Sequence, residues 1–124
     1  MLTLAGKVLD GRGDFTKRFQ TYPDVFKRAT GEDLFPGTLN VIVDVNVKPV
    51  AHFKILGLLI GEPNQDLWFE VCRINRLWAY RIRPVNLLDG SGGWGDNILE
   101  IACTAKLRDL NGFDSNNVEI DLFR

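Results

Sequence analysis

The 124-residue chain holds a single histidine, His52, and only two cysteines, Cys72 and Cys103, far apart and each inside an apolar run. That spacing offers no metal-ligand pattern, so the thiols read as buried and unpaired. With no serine or cysteine in a nucleophile context beside it, His52 reads as a solvent-facing strand residue rather than a catalytic base. Neither charge dominates: 15 Lys and Arg balance 16 Asp and Glu, for a net charge of −1. Without a basic stripe, a nucleic-acid partner is not implied. The short basic clusters at Lys17-Arg18, at Lys27-Arg28 and from Arg73 to Arg83 read as solvated faces. No apolar run is long enough to span a membrane, and Met1-Leu2-Thr3-Leu4 does not resemble a signal peptide. A cytoplasmic protein without a membrane partner is the expectation.

What remains is an ordinary globular composition, 45% hydrophobic and 25% charged, in a length that suits one domain over residues 1–124. The clearest strand begins after Phe35-Pro36-Gly37. Leu39, Val41, Val43, Val45 and Val47 fall on one face, and Thr38, Asn40, Ile42, Asp44 and Asn46 on the other. Further strands are expected over Leu2–Leu9, His52–Ile60, Leu67–Ile74, Leu77–Ile82, Asn97–Ala102 and Val118–Leu122, with the hairpin turn near Asn75-Arg76. Trp68, Trp78 and Tyr80 read as core. Tyr22–Thr30 is a short helix candidate, with Pro23 at its first turn and Gly31 as its stop. Thr104–Leu110 is a second, with Thr104 as N-cap; Phe15–Thr21 fits a helix or an extended segment. Strands do not alternate regularly with helices, and no repeat period is present. The pattern predicts a mainly β fold, a small six-stranded barrel with two short helices.

Four patches carry possible chemistry. Gly11-Arg12-Gly13, after the first strand, can present backbone amides to a phosphate. It lacks the third glycine of a dinucleotide fingerprint and the Gly-Lys-Ser/Thr of a P-loop. Thr38 and Asn40 place two neutral oxygens side by side, a donor set that suits magnesium also held by phosphates; spacing alone favours the plainer reading, a hairpin entry where they only satisfy local backbone groups. Glu100 is the one acid within Ile98-Leu99-Glu100-Ile101-Ala102, either on the solvent face or in a ligand pocket as acceptor or base. Lys106-Leu107-Arg108 can bind phosphate or face water. Between Asn86 and Asp96 lies a glycine-rich loop that carries Trp94, of a length more often functional than idle.

Taken together, the glycine loop, Pro36-Gly37-Thr38-Leu39-Asn40-Val41, Asn97-Ile98-Leu99-Glu100-Ile101-Ala102 and Lys106-Leu107-Arg108-Asp109 resemble the archaeal-type CTP-dependent riboflavin kinase family, from about Leu4 to Leu122. The resemblance implies a cradle-loop barrel that moves the γ-phosphate of CTP to riboflavin, giving FMN. It assigns nucleotide binding to Gly11, Arg12, Gly13, Asp14, Phe15 and Thr16 and to Ala105, Lys106, Leu107 and Arg108. It assigns Mg2+ to Thr38 and Asn40, and the flavin to Glu100, also the expected catalytic residue, and to Gly92. Two departures stand out. Phe15 follows Asp14 where the family carries a further glycine. Gly92-Gly93-Trp94-Gly95 replaces a stretch that offers a threonine and a histidine, with Ser91 as a substitute hydroxyl. The alternative reading is a non-catalytic barrel that binds a nucleotide or small ligand, or serves as an interaction module.

Overall fold

The computed structural model describes residues 1–9, 15–87 and 95–124. The two-residue period that marks Leu39, Val41 and Val43 builds strand β2 (Leu39–Val43), whose three apolar side chains are buried in the core. Six other strands join it: β1 (Leu2–Leu9), β3 (Phe53–Ile55), β4 (Leu67–Ile74), β5 (Leu77–Pro84), β6 (Ile98–Ala102) and β7 (Val118–Leu122). All pairings are antiparallel. The order β4-β5-β6-β2-β1-β7 returns to β4, which closes a six-stranded barrel. Closure depends on the length of β4. Its Cys72–Ile74 half pairs with β7, and its Leu67–Phe69 half pairs with the short β3 on the same edge. A closed barrel leaves few open ladder edges.

The hairpin turns at Asn75 and Arg76, both at positive φ (48° and 68°), the conformation that two-residue turns between twisted strands require. Asn75 Oδ1 also accepts the backbone N–H of Glu119 at 2.9 Å, which ties the turn to β7.

Side chains that alternate along each strand make two cores. Inside the barrel lie Val41, Cys72, Ile74, Leu99, Ile101 and Ile120, among others. Outside it, helices α1 (Thr16–Thr21) and α2 (Pro23–Thr30) pack Phe15, Phe19 and Phe26 onto Leu67, Phe69 and Ile82. Phe19 meets Phe26 edge-on at 4.5 Å between ring centroids, and Phe53 stacks on Phe69 at 4.9 Å. Each such buried ring contributes roughly 1.5–3 kcal/mol. Helix α2 starts at Pro23 and stops at Gly31, whose φ of 76° is one that a side chain resists. Segment 15–21, open between helix and strand in the sequence, is helical because Phe15 and Phe19 share the face turned to this aromatic core.

Several expectations are corrected. The strand from Thr38 ends at Val43, and Val45 is exposed, although Val47 is buried. The expected strand 52–60 stops at Ile55 and becomes a 3₁₀ turn over Gly57–Ile60. There the backbone is pressed so closely against the carbonyls of Glu62 and Gln65 that a β-carbon on Gly57 would collide with both. The expected helix 104–110 shrinks to one 3₁₀ turn, Leu107–Asp109, without a side-chain cap. Lys106 stays extended, because Phe35 N–H bonds Cys103 O at 2.8 Å and the Cys103 thiol donates to Ala105 O at 3.0 Å. Trp78, expected in the core, is 60% exposed on the hairpin beyond the reach of the helices, where Arg73 lies over its ring. His52 is exposed as expected, its Nδ1 accepting the Val71 N–H at 2.9 Å.

Both cysteines are free and buried. Burial, reinforced by the Glu70 carboxylate, pushes the Cys72 thiol from its ordinary 9.0 up to about 12. The folded chain therefore holds this proton where the unfolded chain releases it. The associated stability is complete below pH 9 and is lost as pH rises toward 12, by about 1.4 kcal/mol per pH unit. Denaturant titrations at pH 8 and pH 10.5 should show a steeper alkaline loss in the native chain than in Cys72→Ala. Equal slopes would contradict this origin.

Candidate functional site

Strand β2 lies between β1 and β6, and its register decides which side chains meet. Leu39 and Val41 point into the barrel, so Asn40 and Ile42 point outward. On β6, Leu99 and Ile101 likewise point inward and Glu100 outward. Asn40 stands directly opposite Glu100 on one side and Leu9 on the other, while Ile82 of β5 stands opposite Glu100. An acid and an amide thus occupy the middle of an apolar cross-strand row. Both are buried, Glu100 at 8% and Asn40 at 4% exposure. Glu100 therefore occupies the outer face that its position predicts, but it does not face bulk solvent there.

Thr38, one residue before β2, donates its hydroxyl to Glu100 Oε2 at 2.7 Å. Asn40 Oδ1 is buried with no hydrogen-bond partner among the described residues. Such an atom is unusual in a native interior, where leaving it unmade costs about 1–3 kcal/mol. The Thr38 oxygen keeps lone pairs beyond its donated proton. Two neutral oxygens beside a carboxylate form a set of hard donors, and they fit a hard divalent cation that takes its other ligands from water or phosphate. Among the described residues no group of three or more His, Cys, Asp and Glu side chains is placed to hold a metal without such help.

A cleft with about 420 Å³ of empty space adjoins this row. Gly37, Thr38, Ala105, Lys106, Leu107 and Arg108 line it. The bond from Phe35 N–H to Cys103 O brings the Pro36-Gly37 turn and the Ala105–Arg108 segment together. Lys106 and Arg108 are exposed, Lys106 within 3.9 Å of Asp109, whereas Leu107 is buried and anchors the segment. Thr16 belongs to the same neighbourhood: a β-carbon on Gly37 would lie 3.7 Å from its hydroxyl. The Phe15 side chain is buried in the aromatic core against Phe19, so only its backbone is left to meet a ligand. Gly11, Arg12, Gly13, Asp14 and Gly92, with Ser91 and Trp94, lie outside the described residues. Strand β1 enters that first segment from Leu9, opposite Asn40, and the chain returns at Thr16 beside Gly37.

The expected sites therefore fall into one region as far as they are described: Thr38, Asn40 and Glu100 touch or stand opposite one another, and Thr16 and Ala105–Arg108 border them. The 30% identity to the riboflavin kinase of Staphylothermus marinus runs over 123 residues, 98% of this chain and 92% of that one. The chain belongs to the archaeal riboflavin kinase family. The riboflavin kinase of Methanocella arvoryzae is 26% identical over 122 residues, which cover 96% of this chain and 56% of that longer one. No protein-family model matches the chain. Within this riboflavin kinase fold, no described helix is long and apolar enough to cross a membrane.

One polar assembly escaped the sequence reading. Glu70, Arg81 and Arg83 are buried side chains, not solvated ones. Arg81 Nη1 lies 3.5 Å from Glu70 Oε1, and Arg124 grips both oxygens of Glu70 at 3.0 Å. Arg81 also donates to Val47 O at 2.7 Å, and Arg83 pairs with Asp96 at 3.7 Å. Burial lowers the Arg81 guanidinium from 12.5 to about 10, against the raising influence of Glu70. The signal was present in the sequence. A hairpin folded at Asn75-Arg76 pairs Glu70 with Arg81, which the register bears out.

Proposed function

We propose that this chain phosphorylates riboflavin to FMN, with CTP as phosphate donor and Mg2+ as the metal. The observation that carries the proposal is the Thr38–Glu100 hydrogen bond beside the Asn40 oxygen, which has no hydrogen-bond partner among the described residues, at the border of a cleft lined by Lys106 and Arg108. Similarity to two riboflavin kinases supports the acceptor; the resemblance of the motifs to the CTP-dependent family supports the donor.

In this reading Thr38 and Asn40 hold the magnesium ion, which when bound would offset the negative charge of the phosphates. Phosphoryl transfer asks a protein chiefly for positioning and charge stabilisation. Lys106 and Arg108 add positive charge along the cleft, and Ala105 and Leu107 give it a wall. The Gly11–Thr16 segment binds the nucleotide. Glu100 accepts a hydrogen bond from the ribityl hydroxyl that receives the phosphate, orients it and takes its proton. Thr38 holds the carboxylate for that task through the hydrogen bond from its hydroxyl to Oε2.

The test is direct. Purified protein with riboflavin, Mg2+ and either CTP or ATP is read for FMN by chromatography. FMN with CTP and little with ATP is the expected result. FMN with ATP alone would remove the CTP assignment, and no FMN with either nucleotide, from folded protein, would remove the kinase reading.

A further inference from the structure

The chain has nine asparagines, and only Asn111 is followed by glycine. The pair forms the tip of a β-turn from Leu110 to Phe113, closed by the Phe113 N–H on Leu110 O at 3.1 Å. Gly112 takes a φ of 79°, which such turns reserve for glycine. The chain is anchored on either side, because Leu107 is buried and Phe113 packs against the barrel core. The tip itself is open. Asn111 and Gly112 are exposed, and a β-carbon built on Gly112 would meet nothing within 4 Å.

Asparagine is chemically labile because its carboxamide carbon can be attacked by the backbone nitrogen of the next residue. The attack needs that nitrogen and the carboxamide both unheld. At each of the other eight asparagines one of the two is held. The following N–H is bonded after Asn46 (Val47 to Asp96 O, 2.9 Å), after Asn64 (Gln65 to Glu62 O, 2.9 Å), after Asn97 (Ile98 to Gly95 O, 3.1 Å) and after Asn116 (Asn117 to Asp114 O, 3.1 Å). After Asn40 and Asn117 it belongs to a strand residue, Val41 and Val118. The carboxamide oxygens of Asn75 and Asn86 accept hydrogen bonds from Glu119 N–H and from Gln65. Neither the Gly112 N–H nor the Asn111 carboxamide has a hydrogen-bond partner among the described residues.

We propose that Asn111 is a site of spontaneous deamidation in the folded protein. The Gly112 nitrogen gives up its proton to solvent base and attacks Asn111 Cγ. A C–N bond forms, the carboxamide nitrogen takes up a proton and leaves as ammonia, and a succinimide closes. Water then opens the ring. Addition at Cγ breaks the new C–N bond and gives aspartate. Addition at the Asn111 backbone carbonyl breaks the original peptide bond and gives isoaspartate, with the chain rerouted through the side chain. No group is oxidised or reduced, and water is the only reagent consumed. Either product adds one negative charge to a chain whose net charge is −1, three residues past Arg108. The chemistry needs no ligand and stands apart from the kinase reading.

The test incubates native protein in mildly alkaline buffer and follows acidic species by ion exchange. Trypsin cleaves after Arg108 and releases residues 109–124, a peptide that carries Asn111, Asn116 and Asn117 together. Its fragmentation should place the mass gain of amide-to-acid conversion on Asn111. Conversion there should exceed that at Asn116 by about tenfold or more, the scale set by the hydrogen bond that holds the Asn117 N–H. Asn111→Asp should elute with an early acidic species, and Asn111→Gln, which could close only a larger ring, should not form that species. Equal conversion at Asn116 or Asn117, or the same acidic species from Asn111→Gln, would overturn the assignment. So would a native chain left unchanged in a buffer that deamidates the urea-unfolded chain.

Discussion

Asn40→Ala is expected to lower FMN formation by a factor of about 100 or more, the scale seen when one preorganised electrostatic contact to a developing charge is removed. The same substitution should leave the melting temperature nearly unchanged. The two halves of this prediction have one cause. Asn40 is buried in the row between Leu9 and Glu100, and its Oδ1 has no hydrogen-bond partner among the described residues. A group chosen for folding alone would be satisfied or apolar, so its removal relieves a desolvation cost while it opens a small cavity. The two terms are of similar size and opposite sign. An ordinary structural asparagine would behave in the reverse way, with lost stability and little effect on turnover. Turnover and thermal unfolding measured on one preparation, over a range of Mg2+ concentrations, decide between them. If Asn40 holds the metal, residual activity should require far more Mg2+; native turnover at native Mg2+ dependence would remove that role.

The features that the sequence shows plainly are those written in short-range chemistry. Leu39, Val41 and Val43 declare their strand by alternation, Pro23 and Gly31 bracket α2, and Asn75-Arg76 marks the hairpin. The candidate site could be read as separate parts, because Thr38 and Asn40 share a face by the same alternation. Their meeting with Glu100 could not, since it depends on β2 pairing with β6 in one particular register. The misread elements are those in which a distant contact overrides local preference. Residues 104–106 would continue a helix by composition, but hydrogen bonds at Cys103, one to Phe35 and one to Ala105, hold them extended. Arg81 and Arg83 were assigned to solvent by their charge, although alternation placed them with Ala79, on the face that the closed barrel turns inward. Closure, rather than residue type, decides which face of β5 is dry.

That misreading leads to the largest expected effect on stability. Glu70→Gln keeps the size of the side chain and should cost about 3–5 kcal/mol, because it leaves a guanidinium buried without its counter-charge. Arg81 is 1% exposed, and its Nη1 has no hydrogen-bond partner among the described residues, so the Glu70 carboxylate at 3.5 Å compensates its charge. Arg124, partly exposed, can turn to water when Glu70 is neutralised; Arg81 cannot. The complementary change should be milder. Arg81→Met leaves Glu70 gripped at both oxygens by Arg124 and bonded by the Val50 N–H at 3.2 Å, so its charge stays compensated. Replacing both residues with methionine should recover much of the loss from Glu70→Gln, as well-packed apolar groups often match a buried ion pair. For a domain whose whole stability is of order 5–15 kcal/mol, these differences are large in a urea titration. A loss for Arg81→Met as great as that for Glu70→Gln would mean that the pair stabilises the barrel through mutual attraction. The expected asymmetry means instead that Glu70 is held there to neutralise two arginines, with Arg124 the partner that can leave.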